Sequence, residues 1–82
     1  MLKDQRKINN LSQSQLSVGS GVSVKMIQKY EQGVRNIDAA KLETLLKLCN
    51  TLNCDLVDII NSPTLKALIE TYEAKLRGDN NG

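Results

Sequence analysis

Apolar residues recur along this chain at helical spacing, and punctuation residues cut the pattern into short segments. Four times an apolar residue is followed by a capping side chain and then, at the fourth helical position, by a second apolar residue that can fold back on the first. The four sets are Leu11, Ser12 and Leu16; Val22, Ser23 and Ile27; Ile37, Asp38 and Leu42; and Cys54, Asp55 and Ile59. In the first set Gln15 stands at N3 and completes a capping box, and in the last Asp55 and Asp58 put negative charge at the positive end of the helix dipole. Asn10, Gly21, Gly33, Asn53 and Gly78 are residue types that tolerate the left-handed backbone just past a helix end. Together these signals predict helices near residues 2–9, 13–19, 24–32, 39–51, 56–61 and 63–77, an all-α chain. Only about four residues separate the second helix from the third, which makes the two cross steeply.

Two apolar stripes organise the later helices. Leu42, Leu45, Leu46 and Cys49 fall at i, i+3, i+4 and i+7, the expected buried face of the fourth helix. The sixth predicted helix opens on Ser62-Pro63, a cap followed by proline at N1, and carries Leu65, Leu68, Ile69, Tyr72 and Leu76. Five helices already close a core, so this last stripe is expected either to pack on its own domain or to contribute to a dimer.

Composition narrows the picture. A chain of 82 residues holds one domain, and with 40% apolar and 24% charged residues it has a globular balance. Tyr30 and Tyr72 are the only aromatics, so the core is aliphatic. Charge is unevenly spread. Residues 1–36 carry six cations (Lys3, Arg6, Lys7, Lys25, Lys29, Arg35) against Asp4 and Glu31, a net +4, while the remainder is net −2. A polyanion would meet the N-terminal half. The sequence has no membrane-length apolar run and MLKDQRKINN lacks the apolar stretch of a signal peptide, so a cytoplasmic location without membrane contact is expected. Cys49 and Cys54 fall at apolar positions and no histidine accompanies them, which favours buried thiols over a metal site or a redox switch. With neither histidine, a phosphate-binding glycine loop nor paired carboxylates in an evident pocket, an enzyme is not expected, and neither is a cofactor.

The third predicted helix sorts its residues onto two chemically different faces. Ile27 and Tyr30 point one way; Val24, Lys25, Gln28 and Lys29 point the other, two cations and an amide with no carboxylate among them. Such a face fits an ordinary solvated helix surface. It equally fits double-stranded DNA, because Gln pairs two-fold with an adenine edge, Lys donates to guanine or phosphate, and Val meets a thymine methyl.

The order of residues from 11 to 35, LSQSQLSVGSGVSVKMIQKYEQGVR, resembles the lambda-repressor-like or Cro-like (XRE) helix-turn-helix family. The likeness lies in Leu11-Ser12-Gln13, Leu16, the turn Gly21-Val22-Ser23, Ile27, Tyr30-Glu31, Gly33 and Arg35, and extends through LETLLKLCNTLNCDLVDII to Ile60. It implies a compact five-helix lambda-repressor-like bundle, here followed by a sixth helix, whose third helix enters the major groove. On that resemblance Val24, Lys25, Gln28 and Lys29 are the base readers, while Gln13, Ser23, Arg35 and Asn36 contact phosphate. Arg6 and Glu31 match a structural ion pair of the family, with a phosphate-facing Arg6 as the alternative. The resemblance further implies a homodimeric transcription regulator, a repressor, with an antitoxin-like or adaptor role toward a protein partner as the other reading.

Three positions depart from the family pattern. Gln5 replaces an apolar residue, which predicts a short or poorly anchored first helix. Ser17 stands where a small alanine is usual, and Gly19, costing about 1 kcal/mol against Ala in a helix, predicts a second helix that frays or ends early. The expected organisation is a DNA-binding domain over 1–61, an amphipathic helix over 62–77 and a disordered tail over 78–82.

Overall fold

The computed structural model describes residues 1–78, and the predicted tail beyond Gly78 lies outside the described residues. The chain runs through α1 (Leu2–Ile8), α2 (Gln13–Ser20), α3 (Val24–Gln32), a single 3-10 turn (Ile37–Ala39), α4 (Leu42–Leu52), a second 3-10 turn (Leu56–Asp58) and α5 (Pro63–Arg77). No strand occurs among the described residues, and the fold is an all-α helix-turn-helix bundle. No helix among them is long and apolar enough to cross a membrane.

Local chemistry sets most of the boundaries. Ser12 Oγ accepts from the Gln15 N–H at 3.0 Å while Gln15 Oε1 accepts from the Ser12 N–H at 2.8 Å, the reciprocal box that starts α2. Ser23 caps α3 through the Met26 N–H at 3.2 Å, and Ser62 caps α5 through Leu65 at 3.2 Å, with Pro63 at N1. All five positions read as left-handed termini have positive φ: Asn10 at 57°, Gly21 at 78°, Gly33 at 76°, Asn53 at 51° and Gly78 at 74°. At the end of α4 the Cys49 carbonyl accepts from both Asn53 and Cys54, the latter at 3.2 Å. That six-to-one bond brings the side chains of Cys49 and Cys54 together as the apolar contact of the motif.

Three expectations are corrected. The fourth helix does not start at Asp38; the chain makes a 3-10 turn there and α4 begins at Leu42, because the Asp38 carboxylate turns instead to the Asn61 and Ser62 N–H groups. The predicted fifth helix, 56–61, is one 3-10 turn, Leu56–Asp58, after which Ile59 and Ile60 are both fully buried. The C-terminal helix is therefore the fifth α-helix, not a sixth.

The core is formed by Leu2, Leu16, Val22, Ile27, Ile37, Leu45, Leu48, Cys49, Leu52, Ile59 and Ile60. The buried stripe of α4 is Leu45, Leu48, Cys49 and Leu52, whereas Leu42 and Leu46, expected inside, are exposed at 61% and 43%. Residues 42–52 contain two overlapping helical stripes, one counted from Leu42 and one from Leu45, and packing against α2 selects the second.

The same packing explains Gly19. Helix α2 does not end early: it continues through Gly19 to Ser20, and a Cβ placed on Gly19 would sit 2.9 Å from Thr51 Cγ2 on α4. The residue is small because two helices pass there, a gain that offsets its poor helix propensity.

Helix α1 is short, as expected, at seven residues, yet it is well held. Leu2 enters the core, and Asn9 Nδ2 donates to the Leu52 carbonyl at 3.0 Å, tying the end of α1 to the end of α4.

Candidate nucleic-acid interface

Helix α3 is pinned from behind and open in front. Ile27 is completely buried and Tyr30 packs against the core, so the rear of the helix cannot rotate out without losing apolar contact. On the front, Lys25 and Lys29 are exposed, and Val24 and Gln28 are half-buried. No carboxylate among the described residues lies within ion-pair distance of either lysine. Two cations therefore share a face that lacks any internal counter-charge, one turn apart along a capped helix.

The orientation of that face is set by a network centred on Glu31. Arg6 Nε donates to Glu31 Oε2 at 2.7 Å and Arg6 Nη2 to Glu31 Oε1 at 2.9 Å, a two-pronged pair with side chains only 11% and 4% exposed. The third guanidinium nitrogen, Nη1, donates to the Leu11 carbonyl at 2.9 Å. Gln13 Nε2 donates to Glu31 Oε1 at 3.1 Å. The Glu31–Arg6 pair thus joins α1, the turn before α2, the first residue of α2 and the last turn of α3. Burial by itself would push the Glu31 carboxyl up; the hydrogen bonds from Arg6 and then Gln13, together with the charges of Arg6 and Lys3, outweigh it and hold the group below its ordinary value. The Glu31 hydrogen bond acts first on Arg6 and raises it, against the lowering effect of burial.

The remaining candidate residues surround α3. Ser23 stands at its start, with Oγ accepting from Met26. Gln13 stands at the start of α2, half-buried beside Glu31. Arg35 and Asn36 follow the left-handed Gly33, and the Lys29 carbonyl accepts from the N–H groups of both Val34 and Arg35, at 3.0 and 3.1 Å, which folds the loop back on the helix end. Asn36 Oδ1 accepts from the Asp38 N–H at 3.1 Å. Both Arg35 and Asn36 are exposed. The Gln13 to Glu31 bond and the Asn9 tie to α4 were not legible in the sequence, because each joins residues 18 or 43 positions apart and no local pattern marks it.

The C-terminal stripe divides. Leu65 and Ile69 pack on the core, whereas Leu68, Tyr72 and Leu76 are 62%, 63% and 69% exposed. Cys49 is buried and Cys54 half-buried; burial first, and then the neighbouring Cys54, push the Cys49 thiol up to about 12. Among the described residues there is no cluster of three or more His, Cys, Asp or Glu able to hold a metal ion.

Comparison with curated proteins and with solved structures returned no match. A family model described as helix-turn-helix matches residues 2–59, well over half of the chain and all of α1 to the second 3-10 turn. The matched span contains the capped α2–α3 pair, the Glu31 network and the open lysine face, and excludes α5. The chain accordingly belongs to the helix-turn-helix family of the lambda-repressor or Cro-like (XRE) type, and is a DNA-binding transcription regulator.

Proposed function

We propose that the protein is a homodimeric repressor that inserts α3 into the major groove of a two-fold operator. The observation that carries this reading is the front of α3, where Lys25 and Lys29 stand exposed without internal counter-charge beside Gln28 and Val24. Lys25 and Gln28 are the principal base readers, with Lys29 and Val24 beside them.

The surrounding groups suit phosphate. Ser23 Oγ spends its lone pair on the Met26 N–H and keeps its O–H to donate. Gln13 Nε2 gives one hydrogen to Glu31 and retains a second, next to the N-terminal N–H groups of α2. Asn36 accepts through Oδ1 and keeps its amide hydrogens, and Arg35 extends from the same loop. Arg6, held through all three guanidinium nitrogens by Glu31 and the Leu11 carbonyl and only 11% exposed, positions these elements rather than contacting phosphate.

A single module of this size buries only about 600 to 1,000 Å² on DNA, so useful affinity comes from two copies on half-sites about one helical turn apart. The exposed Leu68, Tyr72 and Leu76 of α5 are the surface on which a second copy pairs.

The test is a gel-shift titration against sites selected from random DNA. Lys25→Ala combined with Gln28→Ala removes two base contacts worth about 1 to 3 kcal/mol each, a loss of about thirtyfold or more in specific binding with the fold intact. Unchanged affinity of the double variant for the selected site rejects this reading face.

A further inference from the structure

Asp38 is half-buried in the loop between α3 and α4, and its side chain serves neither of them. One carboxylate oxygen accepts from the Asn61 N–H at 2.7 Å and the other from the Ser62 N–H at 2.9 Å. Ser62 is the N-cap of α5, so these bonds grip the base of that helix. The preceding Ile59 and Ile60 are fully buried and fix where the chain leaves the core. Leu65 and Ile69 lay the first turns of α5 on the core, and the two charge-assisted bonds to Asp38, roughly twice as strong as neutral ones, hold the root of the helix in its direction.

Asp38 is itself held. Its N–H donates to Asn36 Oδ1 at 3.1 Å, and Ile37 between them is 2% exposed and anchored in the core. One stretch of three residues therefore carries Asn36, a residue of the DNA-facing loop, at one end and clasps the root of α5 at the other.

We propose that Asp38 is a positioning residue that sets the angle between α5 and the DNA-facing loop, and thereby the spacing at which two copies paired through α5 present their α3 helices to DNA. The inference rests on the homodimer reading above. Each base pair inserted between half-sites moves the second site by about 3.4 Å and rotates it by roughly a tenth of a turn. A dimer with a stiff junction at the root of α5 must then prefer one spacing. Removing the carboxylate leaves the Asn61 and Ser62 amides, in exposed and half-buried surroundings, to bond water, which loosens the root of α5 while Leu65 and Ile69 keep the helix on the core.

The experiment measures binding of the full chain and of Asp38→Ala and Asp38→Asn to selected operators whose half-sites are moved apart or together by single base pairs, and to an isolated half-site. Sedimentation in the absence of DNA and circular dichroism accompany it. The expected result for the unaltered protein is one preferred spacing, with a drop of about tenfold, or 1.4 kcal/mol, one base pair away. For both variants the isolated half-site is bound as before, the dimer persists in sedimentation, and the drop shrinks to about threefold or less. Asp38→Asn keeps an acceptor for one of the two N–H groups and supplies a folded variant should the alanine form melt. Undiminished spacing discrimination in the variants overturns the role of Asp38 while leaving the homodimer intact. A monomeric unaltered protein instead overturns the homodimer reading and this inference with it, and a dimer indifferent to spacing overturns this inference alone.

Discussion

Gly19 offers a test in which the structure and the helix propensity scale predict opposite signs. In a helix interior, replacing Gly by Ala ordinarily stabilises by about 0.5 to 1 kcal/mol. Here the new Cβ would stand 2.9 Å from Thr51 Cγ2, where carbon atoms prefer about 3.5 to 4.0 Å. Thr51 cannot easily swing away. Its Oγ1 donates to the Lys47 carbonyl at 3.2 Å, and a β-branched side chain in a helix has few rotamers to choose from. Relieving the overlap by moving α2 from α4 costs about 1 to 3 kcal/mol, the range for an overpacked contact. Gly19→Ala is therefore expected to destabilise by about 1 kcal/mol, a fall in melting temperature of about 4 to 8 °C. In a Thr51→Ser background the Cγ2 is gone, and the next neighbours of the new methyl are Oγ1 at 3.8 Å and Cβ at 4.0 Å, ordinary contacts. There the same substitution should stabilise by about 0.5 to 1 kcal/mol. Reversible unfolding of the four proteins, followed by circular dichroism, gives the coupling directly. Equal effects of Gly19→Ala in the two backgrounds, within about 0.5 kcal/mol, would refute the argument that close passage of the helices selects glycine.

Three further outcomes concern two buried groups. Glu31→Ala strands the Arg6 guanidinium, 11% exposed, without its partner, and should cost about 3 to 5 kcal/mol in urea unfolding, a large part of the stability of so small a domain. Because the folded Glu31 is held below its ordinary value of 4.5, its contribution is present above that pH and is lost as pH falls through the lower folded value. Acid unfolding of the unaltered chain should steepen below 4.5, and that part of the profile should be missing from the variant; a superimposable acid limb would contradict it. For Cys49, with its thiol pushed up from 9.0 to about 12, alkylation at pH 8 should be on the order of a thousandfold slower in the folded protein than in urea, read by mass spectrometry. Comparable rates in the two conditions would show that the site at the end of α4 is open.

Much of the site could be read from local order. Ser12, Ser23 and Ser62 cap helices because a short hydroxyl side chain reaches an N–H two or three residues on, and Asn10, Gly21, Gly33, Asn53 and Gly78 end them because they accept a left-handed backbone. The two faces of α3 follow from the same short-range geometry, with Ile27 buried and Lys25 and Lys29 exposed. Asp38 misled because it satisfies a capping pattern within its own segment yet bonds across the fold to Asn61 and Ser62. The stripe of α4 misled because Leu42 and Leu45 begin equally good periodic runs, and only the neighbouring helix chooses between them.

The sequence alone determined the capped starts of α2, α3 and α5, where the backbone turns left-handed, and which side of α3 is polar, since each is settled by atoms within about one helical turn. Tertiary structure decided the register of α4, the need for glycine at position 19, the partners of Asp38 and Asn9, and the meeting of Arg6, Gln13 and Glu31. Those outcomes depend on which surfaces come within a few ångströms of one another after folding, and chain-local chemistry is blind to that distance.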